Sequence, residues 1–196
     1  MKAGASRRRG AALGDAILDA AWAELIEHGY PEMTLESVAK RAGTSRPVLH
    51  RRWPSRTKLA AAALARYMTL NPIAVPDLGS VRAELSLFLR GLSKRARPEL
   101  IRLVFDMTGD LADVRSSIAD LRAEFANDRL IRTILDRGIA RGEVDPKRLT
   151  PRIVSLPTDL ARHEMLMTLQ PVSDEVIREI VVHIFLPLVC RKPGLS

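Results

Sequence analysis

Thr34-Leu35-Glu36-Ser37-Val38-Ala39-Lys40-Arg41-Ala42-Gly43-Thr44-Ser45-Arg46-Pro47-Val48-Leu49-His50-Arg51-Arg52-Trp53 is the stretch on which the fold turns. Thr34 is a good N-cap residue, and Leu35 to Ala42 reads as a short helix behind it. The helix stops at Gly43, where a residue without Cβ permits a sharp turn. Thr44 or Ser45 can cap the next helix, and Pro47 stands in its first turn, where a missing N–H costs nothing. That helix covers Val48 to Arg52 and ends near Trp53-Pro54. Two short helices at this spacing form a helix-turn-helix. Val38, Ala39 and Ala42 face inward on the first, and Leu49 on the second, so the opposite face of the second carries Arg46, His50, Arg51 and Arg52. At about two turns, roughly 10 Å, this helix fits a DNA major groove. A helical hairpin with a solvated basic face has the same spacing.

The flanks extend the helical pattern. From Asp15, the residues Ile17, Ala20, Ala21, Trp22, Leu25 and Ile26 share one helical face, and Gly29 ends that helix. The segment before Leu13 contains Arg7-Arg8-Arg9 with Gly4 and Gly10, and reads as a flexible basic tail over residues 1–12. Ser55 caps a further helix with Leu59, the alanine run 60–63, Leu64 and Met68, up to Asn71-Pro72. Pro72, Pro76 and Gly79 mark a loop. Helical segments then follow at about 80–95, 98–111, 113–141, 150–169 and 173–188, with Pro157 expected to kink the fourth of them. The pattern gives about nine helices and no strand, an all-α fold.

Composition agrees. The chain has 196 residues, enough to bury a core without staples. Hydrophobic residues are 46%, charged residues 28% and aromatics only 4%, a globular balance that counts against sheets. The single cysteine, Cys190, excludes an intrachain disulfide framework and any cysteine zinc cluster. The net charge of +8 is uneven: residues 1–70 hold 12 Lys/Arg against 6 Asp/Glu. Seven basic residues and no acidic one lie between Lys40 and Lys58 inclusive, which points to a polyanionic partner, most often nucleic acid. The start, Met1 to Gly10, is basic, but no apolar run of signal-peptide or membrane-helix length follows, so the expected location is the cytoplasm, on the nucleoid when bound to DNA.

Residues 17–59 resemble the N-terminal domain of the TetR family of bacterial transcriptional regulators. The resemblance runs without a gap through Ile17-Leu18-Asp19-Ala20-Ala21, Gly29-Tyr30, Thr34-Leu35, Val38-Ala39, Arg41-Ala42-Gly43, Ser45, Leu49, Trp53-Pro54-Ser55-Arg56 and Leu59. It implies a helix-turn-helix DNA-binding domain over 1–54, joined by a linking helix to a helical ligand-binding and dimerisation domain over 55–196. By position, Arg46, Pro47, Val48, His50, Arg51 and Arg52 correspond to the family's DNA-contacting stretch. Thr34 and Leu35, with Glu36, correspond to the helix start that meets the phosphate backbone, and Arg56 to a phosphate-binding residue. The family's usual Tyr is His50 here, which makes that contact more sensitive to pH. Its terminal Phe is Trp53. Arg51 and Arg52 are the expected base readers, since Arg binds guanine O6 and N7 through two bonds, although phosphate contact is the commoner role for Arg.

The resemblance further implies a repressor that binds a double-stranded, palindromic operator as a homodimer and is released by a small hydrophobic effector. The C-terminal half is similar to the family only loosely, at Gly142-Glu143-Val144 and Pro171. Leu89, Leu92, Leu103, Phe105, Met107, Phe125, His163, Met165 and Met167 are candidates to line an effector pocket; core packing is the alternative for each. The last helix sets Val176, Ile177, Ile180, Val181, Ile184, Phe185 and Leu188 on a broad apolar stripe, and the helix before it sets Ile153, Leu156 and Leu160 on another. Two such helices per chain make a four-helix bundle across a two-fold axis.

No Walker loop, dinucleotide fingerprint or nucleophile elbow is present to suggest an enzyme or a cofactor. His163-Glu164 begins a zinc-helix pattern, but Met167 stands where the second His belongs, so no metal is expected. A DNA-binding protein of the same fold controlled by a protein partner remains the alternative to one controlled by a small molecule.

Overall fold

The computed structural model describes residues 3–95, 98–113 and 128–190. Among these residues there is no strand, only one antiparallel bridge between Val144 and Cys190. The helices are α1 (Ala3–Glu32), α2 (Leu35–Arg41), α3 (Arg46–Arg52), α4 (Arg56–Leu70), α5 (Val81–Arg95), α6 (Pro98–Asp113), α7 (Asp128–Ala140) and α8 (Pro151–Thr168), with a 3₁₀ turn at Pro146–Arg148. The last helix, α9, begins as Asp174–Arg178, widens to i→i+5 bonding over Glu179–Phe185 and finishes as Leu186–Val189.

Some expectations change, and one falls partly outside the described residues. α1 reaches back to Ala3, into the segment before Leu13 expected to be a tail; Ala and Arg are strong helix formers and carry the weak Gly4 and Gly10. Of the helix expected over 113–141, the described part is α7, and residues 114–127, with Phe125, lie outside the described residues. Gly29 does interrupt α1, with φ 78° and ψ 170°, a positive φ joined to an extended ψ rather than a left-handed helical cap. α8 passes through Pro157 without interruption.

The chain forms two compact units. The first holds α1 to α4, up to Pro72, and α6 from Arg102. α4 joins this unit because it packs along α1: the Trp22 and Tyr67 rings stack with centroids 4.1 Å apart. Beside them Arg66 bonds Asp19 at 2.7 Å and Asp15 at 2.9 Å. A functional boundary after Pro54 therefore does not coincide with a packing boundary. The core of this unit contains Ile17, Ala21, Leu25, Met33, Val38, Leu49, Leu59 and Leu64. Burying a large aliphatic side chain of this kind stabilises a fold by about 1.5–3 kcal/mol.

The second unit begins at Ile73, holds α5 and α6 up to Ile101, and takes in α7, α8 and α9. Leu85, Phe88 and Leu89 of α5, Ile131 and Ile134 of α7, and Val181 and Phe185 of α9 form its core. α5 and α7 approach closely at Gly138, where a Cβ would stand 2.2 Å from Val81 Cγ2. Glu84 on α5 is 0% exposed and accepts from Arg137 of α7 and from Arg141 in the turn that follows it, each at 2.9 Å. Arg137 also donates to the Val75 carbonyl, and Arg141 to Asp77 and Glu143, so the segment entering α5 is tied to α7.

Candidate nucleic-acid interface

The helix-turn-helix is built by local bonds that the sequence encodes. The Thr34 hydroxyl accepts from the Ser37 N–H at 3.0 Å, and the Ser37 hydroxyl accepts from the Thr34 N–H at 3.2 Å, a reciprocal capping box. α2 ends in a Schellman turn: Gly43 N–H donates to the Lys40 carbonyl and Thr44 N–H to the Ala39 carbonyl. The turn needs φ 62° at Gly43, the left-handed region that glycine occupies without penalty. Ser45, not Thr44, is the N-cap of α3, and its hydroxyl makes no cap bond; its carbonyl accepts from the Val48 and Leu49 N–H groups instead.

Leu49 is fully buried, and with Val38 and Ala39 it fixes the rotation of α3. Arg46, Pro47, His50, Arg51 and Arg52 are exposed and Val48 is half-buried, so one face of α3 is open to solvent. Thr34 is exposed as well. Leu35 is 9% exposed, a core residue of α2 whose side chain faces the domain interior.

The cations between Lys40 and Lys58 divide into two sets. Arg41 is tied to α1 by Glu24 at 2.6 Å and by Glu27, which raise its pKa further above the ordinary arginine value. Arg46 pairs with Glu36 of α2 at 2.9 Å, with both side chains exposed. Arg56, the expected phosphate ligand, donates through Nε to Asp110 of α6 at 2.8 Å and through Nη1 to the Pro31 carbonyl at 3.2 Å. Its guanidinium also lies over the Tyr30 ring, 4.6 Å from the centroid. Lys40, Arg51, Arg52 and Lys58 have no ion pair among the described residues and remain available to a polyanion.

Asp110, Tyr30 and Gly14 were not legible as site residues in the sequence. Asp110 accepts the Tyr30 hydroxyl at 2.7 Å, and Tyr30 also shares a bond with the Thr57 hydroxyl at 2.9 Å. The Tyr30 and Arg56 bonds hold the Asp110 carboxyl below the ordinary aspartate range, while burial raises Tyr30. Gly14 is buried beneath Arg52. Only an isolated glycine inside a helical pattern could have signalled it.

In the second unit the apolar stripes divide by exposure. Ile177, Ile180 and Val181 are buried in the unit's own core. Ile153, Leu156, Leu160 and Val176 are half-buried, whereas Ile184 and Leu188 are 40% and 42% exposed. The pocket candidates divide too. Leu89 of this unit, and Leu103 and Met107 of the first, are core residues in dense packing. Leu92 is half-buried, His163 is exposed, and Phe105 and Met167 are 45% and 66% exposed. An open groove of about 670 Å³ lies instead between α5 and α9, lined by residues that include Leu78, Arg82, Leu87, Arg90, Asp174 and Val182, with none of those candidates among its lining.

A helix-turn-helix with an open basic face is thus followed by a helical unit whose apolar stripes are largely covered, with Ile184 and Leu188 exposed. Residues 17–63 match the family described as bacterial regulatory proteins, tetR family. Residues 75–184 match the tetracyclin repressor-like C-terminal domain. The HTH-type transcriptional regulator AqdR of Rhodococcus erythropolis is 35% identical over 140 residues, 70% of this chain and 66% of that one. The TetR family transcription regulator SCO0332 superposes with a TM-score of 0.71 at 24% identity, covering 91% of this chain and 99% of that one. The flavonoid-responsive regulator FrrA superposes with a TM-score of 0.58 at 21% identity, covering 92% and 98%. These relatives are regulators and not enzymes, and no helix among the described residues is long and apolar enough to cross a membrane. Capped α2, glycine turn and basic α3 are thus the DNA-binding half of a helix-turn-helix transcriptional regulator, and the chain belongs to the TetR family.

Proposed function

We propose that this regulator is a repressor: a homodimer that binds a palindromic operator through α3 and is released by a small hydrophobic effector. The observation that carries the reading is the exposed face of α3, where His50, Arg51 and Arg52 stand on a two-turn helix anchored by buried Leu49. Arg51 reads base edges, and Arg46, Pro47 and Val48 approach the groove wall with His50. Thr34 donates to the backbone from the start of α2. Leu35 acts through the core beneath it, and Arg56 reaches phosphate only by leaving Asp110.

The dimer uses Ile153, Leu156 and Leu160 of α8 with Val176, Ile184 and Leu188 of α9. Ile177, Ile180 and Val181 support that face from beneath. Effector control is supported by the match to a tetracyclin repressor-like C-terminal domain and by the fold shared with a regulator named for its response to flavonoids. The protein acts in the cytoplasm, on the nucleoid while bound.

The test is selection of operator from random duplex DNA, followed by footprinting. A palindromic site is expected, bound by dimers. The double variant R51A/R52A should keep its helical circular dichroism and lose the footprint. A double variant that still protects the same operator overturns the reading, as does a wild-type protein that enriches no sequence.

A further inference from the structure

Gly14 lies in the interior of α1, where glycine weakens a helix relative to alanine. What stands above it supplies the reason. A Cβ at residue 14 would lie 2.4 Å from Arg52 Nη1, closer than real Cβ atoms come, and the guanidinium covers the position so that Gly14 is buried. Among the described residues, and apart from its own helix, the groups within 4 Å of that Cβ belong to the end of the Arg52 side chain.

Helical register separates Arg52 from Arg51. At about 100° per residue, Arg51 stands about 160° from buried Leu49 and faces directly away from the core. Arg52 stands only about 60° from Leu49, on the flank of α3 turned toward the body of the domain. Asp15, which follows Gly14 in the chain, does not claim it: that carboxylate bonds Arg66 at 2.9 Å. Among the described residues Arg52 has no acidic partner, so its planar fork of donors is held by shape and left unneutralised. A fork of this kind matches a phosphate.

Resting on the operator binding proposed above, we propose that Gly14 is a positioning residue: it seats the Arg52 guanidinium on α1, where it binds a DNA phosphate beside the groove that α3 enters and not a base edge. Arg51 alone then carries base readout from this end of α3, and the α1 backbone becomes part of the DNA-binding surface.

The experiment compares wild type, G14A, R52A, G14A/R52A and R51A by fluorescence anisotropy on the selected operator and its single-base variants, over a range of salt. G14A should melt at or above the wild-type temperature, since the added methyl favours the helix and displaces only a flexible side-chain end. It should nevertheless bind operator roughly ten-fold more weakly, as expected for a lost charged hydrogen bond. R52A should show the same loss, and G14A/R52A no more than R52A. Both single variants should weaken every operator variant equally and flatten the salt slope by about 1 per head, whereas R51A changes which base pair is preferred. G14A binding like wild type, a lowered G14A melting temperature, a double variant weaker than R52A, or an altered base preference in R52A each overturns the proposal while leaving operator binding intact. A wild-type protein without an operator overturns both.

Discussion

Arg56 and Asp110 join the start of α4 to α6 through one charged hydrogen bond of 2.8 Å, and the carboxylate oxygen that receives it also receives the Tyr30 hydroxyl. The residue expected to grip DNA is thereby the hub of an internal clamp over α1, α4 and α6. Both side chains keep about a third of their surface in water, so the pair is worth far less than a buried one. D110N should lower stability by about 1 kcal/mol in urea unfolding. R56A should cost a similar amount and reduce operator affinity less than R51A, because free Arg56 must first break its own pair.

Acid should loosen the same unit. Asp110 and Asp19 are both held below the ordinary aspartate value, Asp110 by Tyr30 and Arg56, and Asp19 by Arg66. A depressed carboxyl contributes stability that is present above its unfolded value of about 3.9 and is lost as pH falls through the lower folded value. Trp22 stacks on Tyr67 between α1 and α4, so its fluorescence reports the event. The transition should begin below about pH 4 and shift toward neutrality in R66A.

Gly43 should not tolerate a side chain. Its φ of 62° costs an L-residue roughly 1–2 kcal/mol, and the Schellman bonds at Lys40 and Ala39 depend on it. G43A should lower the urea midpoint accordingly, in contrast to G14A, whose backbone is helical.

Glu84 is a buried charge of the second unit. It is fully buried with Arg137 and Arg141 as its partners, and those two keep 29% and 24% of their side-chain surface in water. Removing both cations strands the carboxylate, so R137A/R141A should cost about 3–5 kcal/mol. E84L removes the buried charge and leaves Arg141 with Asp77 and Glu143, so it should cost less. Denaturant unfolding of the two variants decides the order.

Exposure along α9 separates assembly from folding. I184D, on a residue 40% exposed, should yield a folded monomer by sedimentation, with helical content unchanged. I180D, on a residue 3% exposed, should fail to fold. A folded dimer from I184D would place the two-fold elsewhere.

Elements whose causes are local are legible in the amino-acid order. Thr34 and Ser37 cap α2 through bonds three residues apart, Gly43 permits the turn, and the alternation of buried Leu49 with exposed arginines follows from helical period alone. Together these decide an all-α helix-turn-helix protein. Composition also located the cationic third of the chain, because charge is a property of residues and not of their arrangement.

Which cations are free depends on how the helices pack. Arg41, Arg46 and Arg56 read like Arg51 in a linear sequence, yet each meets a carboxylate brought from another helix: Glu24, Glu36 and Asp110. The same holds for the apolar positions. A stripe on α9 shows that Ile180 and Ile184 share a helix, but burial depends on what packs above each, and only Ile184 is left for a partner. Gly14 is the sharpest case. Its meaning lies in a guanidinium 38 positions further along the chain, and a side chain reaches across such a separation only after the helices have packed.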